Sequence, residues 1–513
     1  MMKKTDKLSL FRKLQTYIPF ILLSINYLTI ILSFRSSPFS HLLNDHDSSM
    51  FLYFGKAMNA GLTPYINMFD HKGIVLFWIQ QLGTLIGGEN YSLGIWIVEC
   101  IFYLLTLHYL YRTCMLITKN KYTSSLAILL TTGPSLITFS GGNLSEEYAL
   151  TFISIALYYF TNIILLNNNK SYYLIIIGIM GGLTFFIRPN MIALWVVFCL
   201  YFLLNYLINK KYKLLFKTVS SIFIGGIFVC LLVYTYSIFM GNLAEMIYQT
   251  FTLNVQYSSG STLSDKVTAA RSFLEFSSRI GIIPFICFFL FYIIVNNIKS
   301  INFNYCMCIA VYTIINFATV VISGRPYSHY FTTMLPSIVI VTVIGLTWLI
   351  TLTNLKSKKI LLLLTVVFIP ASYTYLAVRD SLKPVLVTTP NQVVESLTVS
   401  QANYIKNHAN KNDSIYVHNL DANIYLISNR FSNSKFFVLP AIDYNQFENL
   451  RTDFQNSLKK NPPKYVIINK QTYEQSHPTD SLLDKSILDF IKKDYSLVDE
   501  FSNSENLMLV KNN

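Results

Sequence analysis

Charge is scarce in this chain: only 13% of its 513 residues are Asp, Glu, Lys or Arg, and 53% are hydrophobic. Soluble domains carry about 25% charged residues, so an ordinary soluble enzyme is excluded. Acids are scarcer than bases, 26 against 40, and the formal charge is +14. The bases sit in short clusters between apolar runs rather than in one stripe, which argues against a nucleic-acid partner. All seven cysteines lie in or beside apolar runs and none follows residue 379, so the tail is not stapled by disulfides. No CxxC pattern suggests a metal site; Cys306 and Cys308 are separated by a single residue. There is no P-loop and no GxGxxG after a strand, so a nucleotide is not expected. The opening MMKKTDKLSLFRKLQ resembles a signal peptide without a small-residue cleavage site, and reads as a retained anchor.

What the chain does have is apolar runs long enough to span a bilayer. Candidate spans are 18–34, 92–117, 123–140, 146–166, 172–187, 190–208, 217–240, 280–297, 302–322, 330–352 and 360–378. The segment 74–87, short and carrying Gln80 and Gln81, fits an interfacial or re-entrant helix better. The expected fold is thus an α-helical polytopic membrane protein of about eleven transmembrane helices with a small C-terminal extracytoplasmic α/β domain. The expected division is a transmembrane domain over 1–378, with a long first external loop at 35–91, and a second domain over 379–513.

The positive-inside rule supports this count. With Lys3, Lys4, Lys7, Arg12 and Lys13 in the cytoplasm, eleven spans bring the clusters at Arg112–Lys121, Lys170, Lys210–Lys213, Lys299 and Lys356–Lys359 to the same side. Counting 74–87 as a span would export most of them. The connections left outside then hold HDSS, FDHK, GGNLSEE, RPN and GRPYSHY. A transporter more often places ionisable groups mid-span. Here they fall at span ends, which favours a reaction at the outer surface.

The order of these motifs resembles the GT-C glycosyltransferases, membrane enzymes that use polyprenyl-phosphate sugars and include protein O-mannosyltransferases and lipid A aminoarabinose transferases. The matching residues are Asp47, then Gly61, Pro64 and Tyr65, then Phe69-Asp70-His71-Lys72, followed by GGNLSEE, RPN and GRPYSHYFTTMLP. The chain departs from that pattern at Asp47-Ser48, where a second acid is common, and at Lys72-Gly73, where Lys-Pro is common. Metal use, including a possible divalent cation, and the substrate stay open at this point. The resemblance implies a lipid-linked donor, undecaprenyl phosphate in a bacterium, and a cell-envelope glycopolymer, glycolipid or protein as acceptor.

Such a transfer needs a base for the acceptor hydroxyl and cations for the departing phosphate. By position and resemblance Asp47 is the candidate base; the alternative is a helix N-cap. Asp70 is the second catalytic candidate, as acceptor-orienting group, partner of Lys72 or metal ligand. Lys72 could reach the lipid phosphate or simply snorkel, and His71 is either a ligand or a hydrogen-bonded structural residue. Glu146 and Glu147 are acceptor-binding candidates, or plain first-turn acids favouring a helix dipole. Arg188 and Asn190 could meet the phosphate, or mark a helix break at Pro189. Arg325, Tyr327, His329 and Tyr330 suit a phosphosugar, with an interfacial aromatic belt as the alternative. The loop 241–279 reads as a lid or a connector.

In the tail, IYVHNL, KFFVLP, KYVIIN and ENLMLVKN read as strands, with helices near 443–460 and 480–493. His418 and Asp421 near a strand end read as structural. The function expected is an inverting transfer of a sugar from a polyprenyl-phosphate donor at the outer face. The competing readings are a lipid or polysaccharide transporter and a polysaccharide ligase or polymerase.

Overall fold

The computed structural model describes residues 4–255, 261–295, 303–353, 357–394, 396–439, 444–474 and 481–512. Among them, six helices are long and apolar enough to cross a membrane: Tyr91–Thr118, Ser145–Leu166, Tyr212–Phe239, Phe303–Val321, Ser328–Leu352 and Leu361–Val387. A seventh span arises if Leu263–Arg279 and Ile283–Val295, bent by 92°, are counted together. The bend falls at Gly281, whose φ of +73° suits glycine. Thr16–Leu32, Ser171–Phe185 and Ala193–Ile208 are shorter apolar helices. The expected run 123–140 is a helix only over Lys121–Thr132, followed by a 3-10 segment Pro134–Phe139 that Pro134 opens. The chain is a multi-pass membrane protein.

Contacts divide the chain into two units. Unit one comprises Met1–Phe34, Glu99–Leu232 and Ser261–Val385. Its helices meet through apolar faces, and close approaches are set by small residues. Gly142, at φ +88°, is one such point: a Cβ there would lie 2.5 Å from a Glu99 carboxylate oxygen and 2.7 Å from the Phe34 ring.

Unit two comprises Arg35–Val98, Val233–Gly260 and Leu386–Asn513, so the first external loop groups with the tail. The loop folds into two helices, His46–Asn59 and Ile74–Gly87. The first starts at Asp45, carries Asp47 in its first turn and Lys56 in its last, and so matches its dipole at both ends. Gly55 lets the pair close, since a Cβ there would sit 2.5 Å from the Gln80 carbonyl oxygen. At 14 residues, Ile74–Gly87 reaches about 21 Å, less than the ~30 Å hydrocarbon core. Leu82, Leu85 and Ile86 along it are exposed.

The tail builds a four-stranded sheet of order β1-β2-β4-β3, with β1 Ile415–His418, β2 Tyr465–Asn469, β3 Tyr495–Leu497 and β4 Asn506–Lys511. β1 and β2 pair in parallel with Tyr416 opposite Val466, and β4 is antiparallel to both β2 and β3. The parallel step needs a crossover, which includes the helices Asn423–Ser428 and Glu448–Lys460. Three of the four expected strands form. KFFVLP does not: over its described residues 435–439 it is irregular and buried apart from a half-buried Lys435 and Leu439. Its carbonyls are taken by groups outside any ladder, Lys435 O accepting from Phe69 N at 2.8 Å and Phe437 O from the Tyr425 hydroxyl at 3.0 Å.

Candidate functional site

The loop site grows from the two ends of the first-loop helix pair. Asp45, in extended conformation, is the N-cap of His46–Asn59, and Asp47 is the second residue of its first turn, half exposed. The capping alternative for Asp47 therefore falls, because the cap position belongs to another residue. Phe51 follows Asp47 by one helical turn and shares its face. Lys72 Nζ lies 6.0 Å from the Phe51 ring centroid, which brings the ammonium to that face.

Between the helices the chain makes a tight path. Gly61 has φ +89° and Tyr65, unusually for a bulky residue, φ +67°. Tyr65 is held there by three groups: its hydroxyl donates to Lys72 O at 2.9 Å, its carbonyl accepts from Gln249 Nε2 at 2.8 Å, and its ring packs near Phe77. Asn242 Nδ2 donates to the preceding Pro64 carbonyl at 2.9 Å. Gln249 and Thr250 belong to a π-turn, Tyr248–Thr252, a geometry often found at functional sites.

Asp70 is fully buried. Its Oδ1 accepts from Lys72 N at 2.6 Å, its amide donates to Gln249 Oε1 at 3.3 Å, and its Oδ2 has no hydrogen-bond partner among the described residues. Burial pushes its carboxyl above the usual range, Lys72 pulls it down, and the nearby Asp47 pushes it up again. Lys72 is 6% exposed, and its Nζ stands 3.1 Å from His71 Nε2. An ammonium can only donate, so Nε2 accepts. Asn254 Nδ2 fixes the His71 carbonyl at 2.7 Å.

The tail domain supplies the back of this site. Phe69, adjacent to Asp70, is a fully buried member of the tail's own core, beside Phe436, Tyr416 and Phe454. Ala422 N donates to Ser49 Oγ at 3.0 Å, and Asn423 Nδ2 donates to Asn44 O at 2.8 Å. Ser432 N donates to the Tyr53 hydroxyl at 2.9 Å, and Tyr53 stacks on Phe437 at 3.9 Å between centroids. Lys56 Nζ reaches Leu426 O at 3.3 Å, and burial lowers its pKa. Nothing in the spacing of the sequence announced that the FDHK motif ends in the hydrophobic core of the C-terminal segment.

Unit one holds a second cluster. Glu146 and Glu147 open the helix Ser145–Leu166, each 2% exposed. Glu146 is ion-paired with the Arg188 guanidinium, which also lies 4.5 Å from the Tyr330 ring centroid. Asn143, at φ +56°, donates its amide to Glu99 Oε1 at 2.5 Å and to Glu147 Oε2 at 3.0 Å. Glu99 was not singled out from the sequence, where it sits as one acid within the apolar run 92–117; it is fully buried. Asn190, in the 3-10 turn Pro189–Met191, is exposed. Arg325 and Tyr327 are exposed, and the Tyr327 and His329 rings stack at 5.6 Å with Tyr330 edge-on to both.

The region read as a lid includes residues 256–260, which lie outside the described residues. Its described parts are mostly helical, with Thr262 and Asp265 forming a capping box on Leu263–Arg279. His418 is buried and pairs through Nε2 with Asp484 Oδ1 at 2.8 Å, while Asp421 caps Asn423 N at 2.9 Å. A divalent cation was left open by the sequence. Among the described residues no group of three or more His, Cys, Asp or Glu side chains is arranged to hold one.

The family profile described as "Putative competence-induced protein Ccs4 N-terminal domain" matches residues 5–368, and its companion "Ccs4 C-terminal domain" matches 397–505. No curated protein matches the sequence. Among solved structures, ArnT from Cupriavidus metallidurans bound to undecaprenyl phosphate aligns with 95% of this chain and 97% of its own, at TM-score 0.56 and 13% identity. An Archaeoglobus fulgidus oligosaccharyltransferase, tethered by a disulfide to an acceptor peptide containing the NVT sequon, aligns with 97% of this chain and 74% of its own, at TM-score 0.53 and 12% identity. Both are GT-C glycosyltransferases, and the chain has their fold.

Proposed function

Because the chain belongs to the Ccs4 family and carries the GT-C fold, we propose that it is a membrane glycosyltransferase. It takes a sugar from a polyprenyl-phosphate donor and passes it, with inversion, to a hydroxyl of a cell-envelope acceptor. The observation that carries this reading is the unequal pair of loop aspartates. Asp47 is half exposed and open to a substrate, while Asp70 is fully buried.

In this scheme Asp47 takes the proton of the acceptor hydroxyl as its oxygen attacks the anomeric carbon. The anomeric C–O bond breaks and polyprenyl phosphate leaves with the electron pair. Lys72 is the loop cation next to Asp70 and His71, and its ammonium stabilises the departing phosphate. Asp70 is a positioning residue: its bond to Lys72 N shapes the turn that presents the ammonium. His71 accepts from Lys72 and steers its Nζ. Arg325 with Tyr327, His329 and Tyr330 remains assigned to the donor phosphosugar, as an exposed cation beside stacked rings. Arg188 and Glu146 answer each other's charge in a buried pair, and we assign them to holding unit one rather than to substrate. Glu147 shares the Asn143 amide with Glu99 and is assigned likewise.

The orientation follows from the charge count: unit two faces outward. Cysteines introduced at the exposed Asn59, Ser328 and Asn410 should react with an impermeant maleimide in intact cells. Reaction of Asn410→Cys only after permeabilisation would invert the scheme. The function itself is tested by supplying purified protein with undecaprenyl-phosphate sugars and envelope extract. Sugar must move covalently to the extract; release of intact lipid-linked donor across a bilayer without transfer would make the protein a transporter.

A further inference from the structure

The tail domain carries a cavity of about 760 Å³ that no part of the proposed chemistry uses. It lies between two helices, Glu448–Lys460 and Leu482–Asp494, and the C-terminal end of β4 at Lys511. The lining positions 451, 455, 458 and 459 fall on one helical face, as do 482, 485, 486, 489, 490 and 493. Gln455 Nε2 donates to Ser486 Oγ at 2.7 Å and ties the two helices across the floor.

Its charge is one-sided. Arg451, Lys459, Lys485, Lys493 and, from β4, Lys511 line it against Asp489 and Asp494. Lys459, Lys485 and Lys493 are exposed, and among the described residues none of these four lysines forms a salt bridge. By contrast, Lys435 on the same domain pairs with Asp453 at 2.5 Å. The floor is neutral and half buried, offering the amide of Gln455, the hydroxyl of Ser486 and the ring of Phe490. A simple anion would be met by the rim alone. A floor of hydrogen-bonding groups and a ring, under a cationic rim, instead matches a chain of polyols or sugars joined or decorated by negative charge.

We propose that this groove binds an anionic glycopolymer of the envelope, with phosphodiester or carboxylate groups on the lysine rim and hydroxyls on the Gln455–Ser486 floor. The inference rests on the transferase reading only in making this polymer the acceptor; the binding itself stands apart from it. Rim lysines also raise the local concentration of such a polymer before any contact forms.

The test uses full-length protein in detergent and isothermal titration with a short glycerol phosphate oligomer, with dextran of similar length as the neutral control. The oligomer should bind, dextran should not, and affinity should fall as salt rises past physiological strength. Lys485→Gln with Lys493→Gln should weaken binding roughly tenfold, as expected of two solvent-exposed ion pairs. Both lysines are exposed, so the fold survives the change. Phe490→Ala should weaken binding without changing its salt dependence. Equal affinity for dextran, or no response to the double lysine substitution, overturns the proposal. So does binding to phosphatidylglycerol nanodiscs in place of the oligomer, which would make the groove a lipid contact. Asp47→Asn keeps oligomer binding if the groove is real, even where transfer is lost, so failure of the one reading is separable from failure of the other.

Discussion

The two clusters of carboxyl groups in this chain meet opposite surroundings. In unit one, Glu146 is matched by Arg188, and Glu99 and Glu147 close on one amide, all nearly without solvent. In unit two, Asp47 is half exposed, Asp70 is fully buried, and the nearly buried Lys72 holds its ammonium by the Phe51 ring, one turn along from Asp47. A paired, buried acid is expensive to disturb and has little left to offer a substrate. An acid with solvent access, close to a cation that neighbouring residues hold in place, is available for proton transfer. The loop cluster is therefore where substitutions should separate activity from folding, and the helical cluster is where they should not.

The sharpest break of that comparison is Asp47→Asn. It should cut transfer by about 10²–10⁴-fold, the usual loss of a general base, while leaving expression, detergent stability and donor binding near normal. Full transfer by this variant would move the base elsewhere. On the other side, Glu146→Ala should leave Arg188 buried without its partner and destabilise the protein by about 3–5 kcal/mol. Thermal unfolding in detergent reads this, and Glu146→Gln combined with Arg188→Met should recover much of the loss. A Glu146→Ala protein that is stable yet inactive would instead give that acid a role at the substrate.

Lys72→Ala should lower turnover of the lipid donor by roughly 10²-fold, within the range for losing one group that stabilises developing charge. Lys72→Arg should restore only part, since a planar guanidinium cannot occupy the ammonium's place beside His71 in the same geometry. A smaller effect is expected at Asn423→Ala. It removes one buried hydrogen bond to Asn44, at the entry of the Asp47 helix, worth about 0.5–1.5 kcal/mol. Turnover should fall a few-fold with KM for the donor unchanged, because Asn423 acts only by positioning.

The smallest effect is one of pH. Asp70's carboxyl is held above its ordinary value, mainly by burial. The folded state then binds the proton more tightly than the unfolded chain, so stability falls as pH rises from the ordinary carboxyl range through the raised one. Subtracting the stability–pH curve of Asp70→Asn from that of the natural protein should isolate a decline of that sign. A flat difference would mean that Asp70 is solvated in solution.

Much of this architecture was legible. Apolar run length announced membrane helices, of which six among the described residues are long and apolar enough to cross a bilayer against eleven expected spans, and β-rich runs between helical segments announced three of the four tail strands. Aspartate and lysine at the ends of apolar runs pointed to the loop. What stayed hidden was of one kind. Glu99 is a single acid in a long apolar helix, and hydropathy averages it away. KFFVLP has strand composition, but its carbonyls are claimed by Phe69 and Tyr425, partners far from any local pattern. Arg188 read either as a phosphate contact or as the mark of a helix break, and its pairing with Glu146 beside the Tyr330 ring had no local signal. Local propensity reports what a segment prefers; these cases were decided by groups brought in from elsewhere in the chain.

The bond between Ser49 and Ala422 spans 373 residues of sequence. At ribosomal rates of about 5–20 residues per second, the loop waits roughly 20–75 s for the segment that completes it. Throughout that interval Phe69 and Tyr53 have no core to enter. Newborn protein is thus most vulnerable at this loop, and a stop codon before Ala422 would leave the loop unfinished rather than merely shorten the molecule. Surveillance proteases that sample unfinished membrane proteins would meet a loop with bare aromatic rings, so abundance in the cell should track the integrity of the far C-terminus.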